Sequence, residues 1–234
     1  AVAASMVACG SSNNGSSATD NSSSNGTSDS TGAIKLGFSG PLTGGAAVYG
    51  NAVKNAAELA VEEVNALGGL QFDLRVEDDT HDAEKAVTSY GVLKDWGMQV
   101  SFLTVTSAPG AAVAPLYDED NIFALTPSGS SMAIIYQDPE NESGAYGNVF
   151  QMCFTDPNQG VASAEYIKEQ KLGDKIAIIY NNSDAYSTGI YQKFQTKAEE
   201  LGLNIVCVKS FTDDSANDFN SQLTDIKNSG ADLL

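Results

Sequence analysis

The chain has 234 residues, 12 Lys+Arg against 30 Asp+Glu, a formal charge of −18 and 42% hydrophobic residues. That apolar content suffices for one or two packed cores, and the acid excess excludes nucleic acid and anionic membrane surfaces as partners, because both repel such a field. One His and three Cys leave little from which to build a His/Cys metal cluster, and no apolar run approaches the ~20 residues of a membrane span.

Residues 1–9 are small and apolar and stop at Cys9. They read as the tail of a secretory signal whose charged start is missing. Met6-Val7-Ala8-Cys9 resembles the lipobox of bacterial lipoproteins, which implies lipidation of Cys9 and a membrane anchor. Residues 10–32 are almost entirely Ser, Asn, Gly, Thr and Asp, which cannot bury apolar surface, so a flexible tether is expected. At the other end, residues 231–234 read as the start of a buried strand. The sequence is therefore expected to be a fragment cut at both ends.

The body alternates strands and helices. Residues 34–38 read as a strand, and the Gly-rich loop 37–50 leads to a helix over 51–67, stopped by Gly68-Gly69. A strand over 72–76 turns at Glu77-Asp78-Asp79, and Asp82 N-caps a helix to Trp96. Then come a strand over 100–105, a short helix to Tyr117 and a strand over 122–125. After an extended 149–154 the pattern resets, with helices over 158–171, 187–201 and 218–229, strands over 175–180 and 203–208, and a new strand from Asp232. Short links between alternating β and α predict an α/β fold with two doubly wound, Rossmann-like parallel sheets, here two units, 33–153 and 154–234, joined near residues 150–158; the resemblance given below implies that they are lobes joined by a hinge.

In such sheets ligands sit outside the carboxyl ends of the strands. The loops there, 39–50, 77–82, 104–110, 126–131 and 181–188, are rich in hydroxyls and carry Tyr49 and Tyr186, while Lys, Arg and His are nearly absent. They suit a small neutral or zwitterionic ligand. Residues 106–110 open a helix, whose free N–H groups attract a carboxylate without an Arg; Ser107 either adds a hydroxyl donor or only N-caps. Residues 127–131 are either a second wall of a site or a turn before a helix cap. Asp78, Asp79 and Asp82 could suggest Mg²⁺, but a solvated turn with an N-cap is the simpler reading, and His81 reads as a surface residue of that turn. Neither dinucleotide nor nucleotide-phosphate glycine motifs occur, nor a nucleophile elbow. No metal, cofactor or catalytic constellation is expected.

Residues 34–44 (Ile-Lys-Leu-Gly-Phe-Ser-Gly-Pro-Leu-Thr-Gly) with Tyr49-Gly50 resemble the start of the branched-chain amino-acid binding proteins of ABC importers. The helix Glu58-Leu59-Ala60-Val61-Glu62-Glu63-Val64-Asn65, Glu77-Asp78-Asp79, Ser107, Leu125-Thr126-Pro127-Ser128, Phe150 through Asp156, Gln159-Gly160 and Tyr186-Ser187-Thr188-Gly189 follow in family order. The resemblance implies a type I periplasmic-binding fold that closes on a ligand. It implies that Ser107 binds the α-carboxylate of an amino acid and that the Gly129 carbonyl meets the α-ammonium. Ser130 would contact either charge, Tyr186 would close over the ligand backbone, and Tyr49 would line the side-chain pocket. The acidic partner of the ammonium is expected beyond Leu234. A disulfide of some relatives would fall at His81 and Thr106 and is absent; Cys153 and Cys207 are expected as buried free thiols.

The function implied is an extracytoplasmic lipoprotein that captures a free amino acid, branched-chain or similarly apolar, and delivers it to an ABC-importer permease. A sensing receptor domain of the same fold, for an amino acid or small amide, is the alternative, and an enzyme on a Rossmann-like fold is the third reading.

Overall fold

A computed structural model describes residues 32–234; the expected lipobox with Cys9, and the tether up to residue 31, lie outside the described residues. In chain order the elements are β1 (Ile34–Gly40), α1 (Ala47–Ala66), β2 (Phe72–Asp78), α2 (Ala83–Trp96), β3 (Val100–Ser101), α3 (Ser107–Glu119) and β4 (Phe123–Thr126). Then follow β5 (Tyr136–Asp138), β6 (Ser143–Ala145), β7 (Val149–Gln151), α4 (Asp156–Gln170), β8 (Ile176–Asn181), α5 (Ala185–Glu200), β9 (Ile205–Phe211) and α6 (Asn220–Asn228). The first sheet is parallel, in the order β2-β1-β3-β4-β7; β8 and β9 form a second parallel pair, which Leu233 joins beside Ile176.

Local chemistry accounts for most element ends. Asp82 caps α2, accepting from Lys85 N at 2.8 Å, and Gly97 ends it at φ 91, where a side chain would be strained. Pro157 in the first turn of α4 lets that helix begin at Asp156, two residues before the expected start. α1 likewise begins early, at Ala47, which puts Tyr49 in a helix instead of the preceding loop. The strand expected over 100–105 is only two residues long. Leu103 turns left-handed at φ 54, and its N–H bonds to Ser101 Oγ at 2.7 Å, so regular pairing stops although Ser39 N still donates to Leu103 O at 3.1 Å. The hairpin β5–β6, antiparallel through Tyr136 and Ala145, has no counterpart in the sequence reading, because its strands are short and polar.

Two cores lie under these sheets. Tyr90, Leu93, Leu103, Val113, Tyr117 and Ile134 anchor the first. Tyr90 and Tyr117 meet edge-to-face at 4.7 Å, a favoured aromatic geometry. Ala164, Ile176, Phe194 and Ala198 anchor the second, where α4 crosses α5. At that crossing a Cβ on Gly160 would lie 2.6 Å from Ile190 O and 2.8 Å from Phe194 N. Backbone cannot yield as a side-chain tip can. Gly160→Ala is therefore expected to cost about 1–3 kcal/mol of unfolding free energy, read from the denaturant midpoint; an unchanged midpoint would show that the helices separate freely.

Candidate ligand-binding site

The carboxyl ends of β3 and β4 carry the two hydroxyl-rich loops. Thr126 Oγ1 donates to Thr104 O at 2.7 Å and accepts from Gly129 N at 2.9 Å. Gln151 Nε2 reaches Ser131 O at 2.7 Å and Gly129 O at 3.1 Å. The loops are thereby fixed to each other and to β7. Thr106 takes the N-cap position of α3 without a side-chain bond, so Ser107 is not a cap but the first helical residue. Its Oγ accepts from Ser130 N at 3.3 Å, and both serines are only 3% exposed. A hydroxyl that accepts one bond still has its proton to donate. The amides of Ser107 and Ala108 have no carbonyl one turn back, and Pro109 has no N–H, so this helix start offers two backbone donors to an anion.

Asp156, which the sequence reading passed over as part of a motif, completes this cluster. It opens α4, its N–H bonds to Ser130 O at 3.0 Å, and it is 3% exposed. Its Oδ1 is buried without a partner. Burial raises its pKa to about 6; the Ser130 hydroxyl pulls the other way, and the Asp184 charge adds to the rise. Across from it stands α5, where a Cβ on Gly189 would lie 2.9 Å from Asp156 Oδ2. A signal was present in Thr155-Asp156-Pro157, an acid at a helix start, but burial beside Ser130 is a tertiary fact.

The other expected site residues are placed as follows. The Gly129 carbonyl accepts from Gln151 Nε2 at 3.1 Å and Cys153 Sγ at 3.3 Å, which occupies both of its lone pairs. Tyr186 lies in the first turn of α5, 38% exposed, and donates to Gln159 Oε1 at 3.0 Å. Ser187 and Tyr186 are among the lining of a largely apolar hollow of ≈ 650 Å³ between α4, α5 and β8, which carries no charged side chain. Tyr49 is 63% exposed and makes no contact with Ser107 or Ser130 among the hydrogen bonds described. Cys153 and Cys207 are free, as expected, but half-buried instead of buried.

Asp78 and Asp79 are occupied in holding loops. Asp78 accepts from Leu42 N, Thr43 Oγ1 and Thr80 N, and Asp79 from His81 N and Ser39 Oγ. Among the described residues no group of three His, Cys, Asp or Glu is arranged to hold a metal ion.

The sequence profile of the periplasmic binding proteins matches residues 33–234. The chain belongs to the periplasmic binding protein family. Among the relatives of this binding protein is a Leu/Ile/Val-binding protein homolog of Brucella melitensis, 27% identical over 204 residues, covering 86% of this chain and 53% of the relative. The binding protein thus spans about half the length of the curated relatives it matches. Its fold is that of the branched-chain amino acid transporter substrate binding protein of Streptococcus pneumoniae, solved with isoleucine (TM-score 0.75, 24% identity, 86% of this chain and 56% of that one). A solute binding protein of an ABC transporter from R. palustris, solved with benzoate, is equally similar in fold (TM-score 0.75, 21% identity, 86% and 54% covered). The architecture is the type I periplasmic-binding fold.

Proposed function

We propose that this binding protein captures a free amino acid between lobes 33–153 and 154–234 and delivers it to the permease of an ABC importer. One observation carries the reading: a buried carboxylate, Asp156, whose Oδ1 has no partner, adjoins a helix start that offers donors to an anion. The first needs a cation and the second an anion, at neighbouring points, which is the charge pattern of a zwitterion. The α-carboxylate bonds to Ser107 and the first-turn amides of α3; the α-ammonium bonds to Asp156 and Ser130. Charge-assisted bonds of this kind are the strong ones in a water-poor cleft. Tyr186 closes over the ligand from α5, and Tyr49 contributes to the side-chain pocket. Binding to both lobes favours the closed arrangement.

The same reading places the protein outside the cytoplasm, tethered by residues 10–32 and anchored by lipid at Cys9. Both benzoate and isoleucine occur among ligands of the similar folds. Asp156 favours isoleucine, because benzoate brings no cation to a buried carboxylate.

The deciding experiment is a thermal-shift comparison on the complete natural protein. A ligand at 100 times its Kd adds about 2.7 kcal/mol to stability. Isoleucine or another apolar amino acid is expected to raise the melting temperature, and benzoate to leave it unmoved. If benzoate stabilises the protein and no amino acid does, the reading fails.

A further inference from the structure

Glycines bring α4 and α5 close where they cross. Gly160 of α4 lies against Ile190 O and Phe194 N of α5. One turn earlier in α4, Asp156 lies against Gly189 of α5. The three nearest atoms to a Cβ at position 189 all belong to that aspartate: Oδ2 at 2.9 Å, Cβ at 3.1 Å and Cγ at 3.4 Å. The same two helices are joined by Tyr186 Oη, which donates to Gln159 Oε1 at 3.0 Å.

Backbone freedom does not explain Gly189. It sits in the interior of α5, and its φ is not left-handed. A glycine there makes the helix less stable than an alanine does, because it has more conformational freedom to lose. What it supplies is room. Without a Cβ, the first turns of α5 press on the Oδ2 side of Asp156, and the carboxylate cannot swing that way. The main chain of Asp156 is held as well, since its N–H donates to Ser130 O at 3.0 Å. The oxygen left over is Oδ1, buried without a partner in a residue only 3% exposed.

We infer that Gly189 is a positioning residue of the ligand site: its missing side chain lets α5 brace Asp156, so that Oδ1 stays turned toward the ligand cation. The inference rests on the amino-acid reading above and adds to it the element that sets the geometry at the ammonium end. A methyl group at 189 meets Asp156 at once. The α5 backbone is fixed by its own hydrogen-bond ladder, so the short Asp156 side chain gives way, and Oδ1 moves with it. The carboxylate end of the ligand contacts a different element, the start of α3, so a displaced Asp156 weakens the ammonium end alone.

Four forms of the complete natural protein test this by titration with isoleucine and with isoleucinamide: wild type, G189A, D156N and G189A/D156N. G189A is expected to bind isoleucine about ten-fold more weakly than wild type. Isoleucinamide keeps the ammonium, so its binding should weaken by the same factor and the preference for isoleucine should stand. In the D156N background G189A should cost little further, because the charge it displaces is already gone. Unchanged isoleucine binding in G189A, a loss that multiplies fully onto that of D156N, or an altered preference between the two ligands overturns the inference.

A second cycle needs no ligand. G189A is expected to melt about 2–4 °C below wild type. In D156G, which removes all three crowding atoms, the same substitution should lower the midpoint no further. An equal drop in both backgrounds overturns the bracing contact. If G189A does not fold, a folded G189A/D156G supports the contact, and an unfolded one beside a folded D156G overturns it. If no form binds isoleucine, the functional reading fails, while the melting cycle still decides whether α5 braces Asp156.

Discussion

Asp156→Asn is expected to move two measured quantities in opposite directions. Isoleucine binding should weaken by about ten- to a hundred-fold, the loss of a hydrogen bond to a charged group. The ligand-free protein, in contrast, should become more stable at neutral pH. Asp156 is 3% exposed with Oδ1 unpartnered, so its ionised form is costly until a cation arrives. The rise of its pKa from 3.8 to about 6 corresponds to a penalty on the order of 1–3 kcal/mol. An amide carries no charge to desolvate and keeps the shape.

The sign with pH follows from the same shift. Between about 4 and 6 the native state binds more protons than the unfolded chain, so ligand-free stability falls as pH rises through that window and the whole penalty applies above it. Asp156→Asn should remove this slope. Denaturant titrations across the window, with isothermal titration of isoleucine at neutral pH, read both effects. A variant that is less stable without ligand and also binds poorly would make Asp156 a structural carboxylate; unchanged affinity would remove it from the site.

What was legible in the sequence was local. Asp82 before α2 and Gly68 after α1 act within their own stretch of chain, and both can be read from spacing alone. The resemblance to importer binding proteins covers residues 34–234, and most of its motifs, the segment 58–65 of α1 apart, lie at or just after strand ends, where that fold keeps its site. Leu103 was misread for a tertiary reason. Its apolar run looks like strand, but Ser101 Oγ captures its amide and turns the chain. Asp156 was passed over for the same kind of reason. An acid at a helix start is solvated by default, and only its burial against Ser130 gives it other work. Tyr49 shows the converse, since a resemblance names a position while its side chain, 63% exposed here, answers to local packing.

Ser107→Ala is expected to give a different signature from Asp156→Asn. The Ser107 hydroxyl accepts from Ser130 N at 3.3 Å inside a buried pair. Its removal leaves that amide without the partner, so the ligand-free protein should lose about 1–3 kcal/mol. Isoleucine binding should weaken by about ten- to a hundred-fold, since the hydroxyl proton no longer meets the carboxylate. Loss of affinity alone would not say which end of the ligand Ser107 touches, but isoleucinamide, which keeps the ammonium and lacks the carboxylate charge, does. Wild type should prefer isoleucine to the amide, and in Ser107→Ala this preference should shrink. In Asp156→Asn it should survive, because the lost partner there belongs to the other end. Equal preference in wild type and Ser107→Ala would show that the carboxylate docks elsewhere, and would leave the helix start of α3 without its proposed anion.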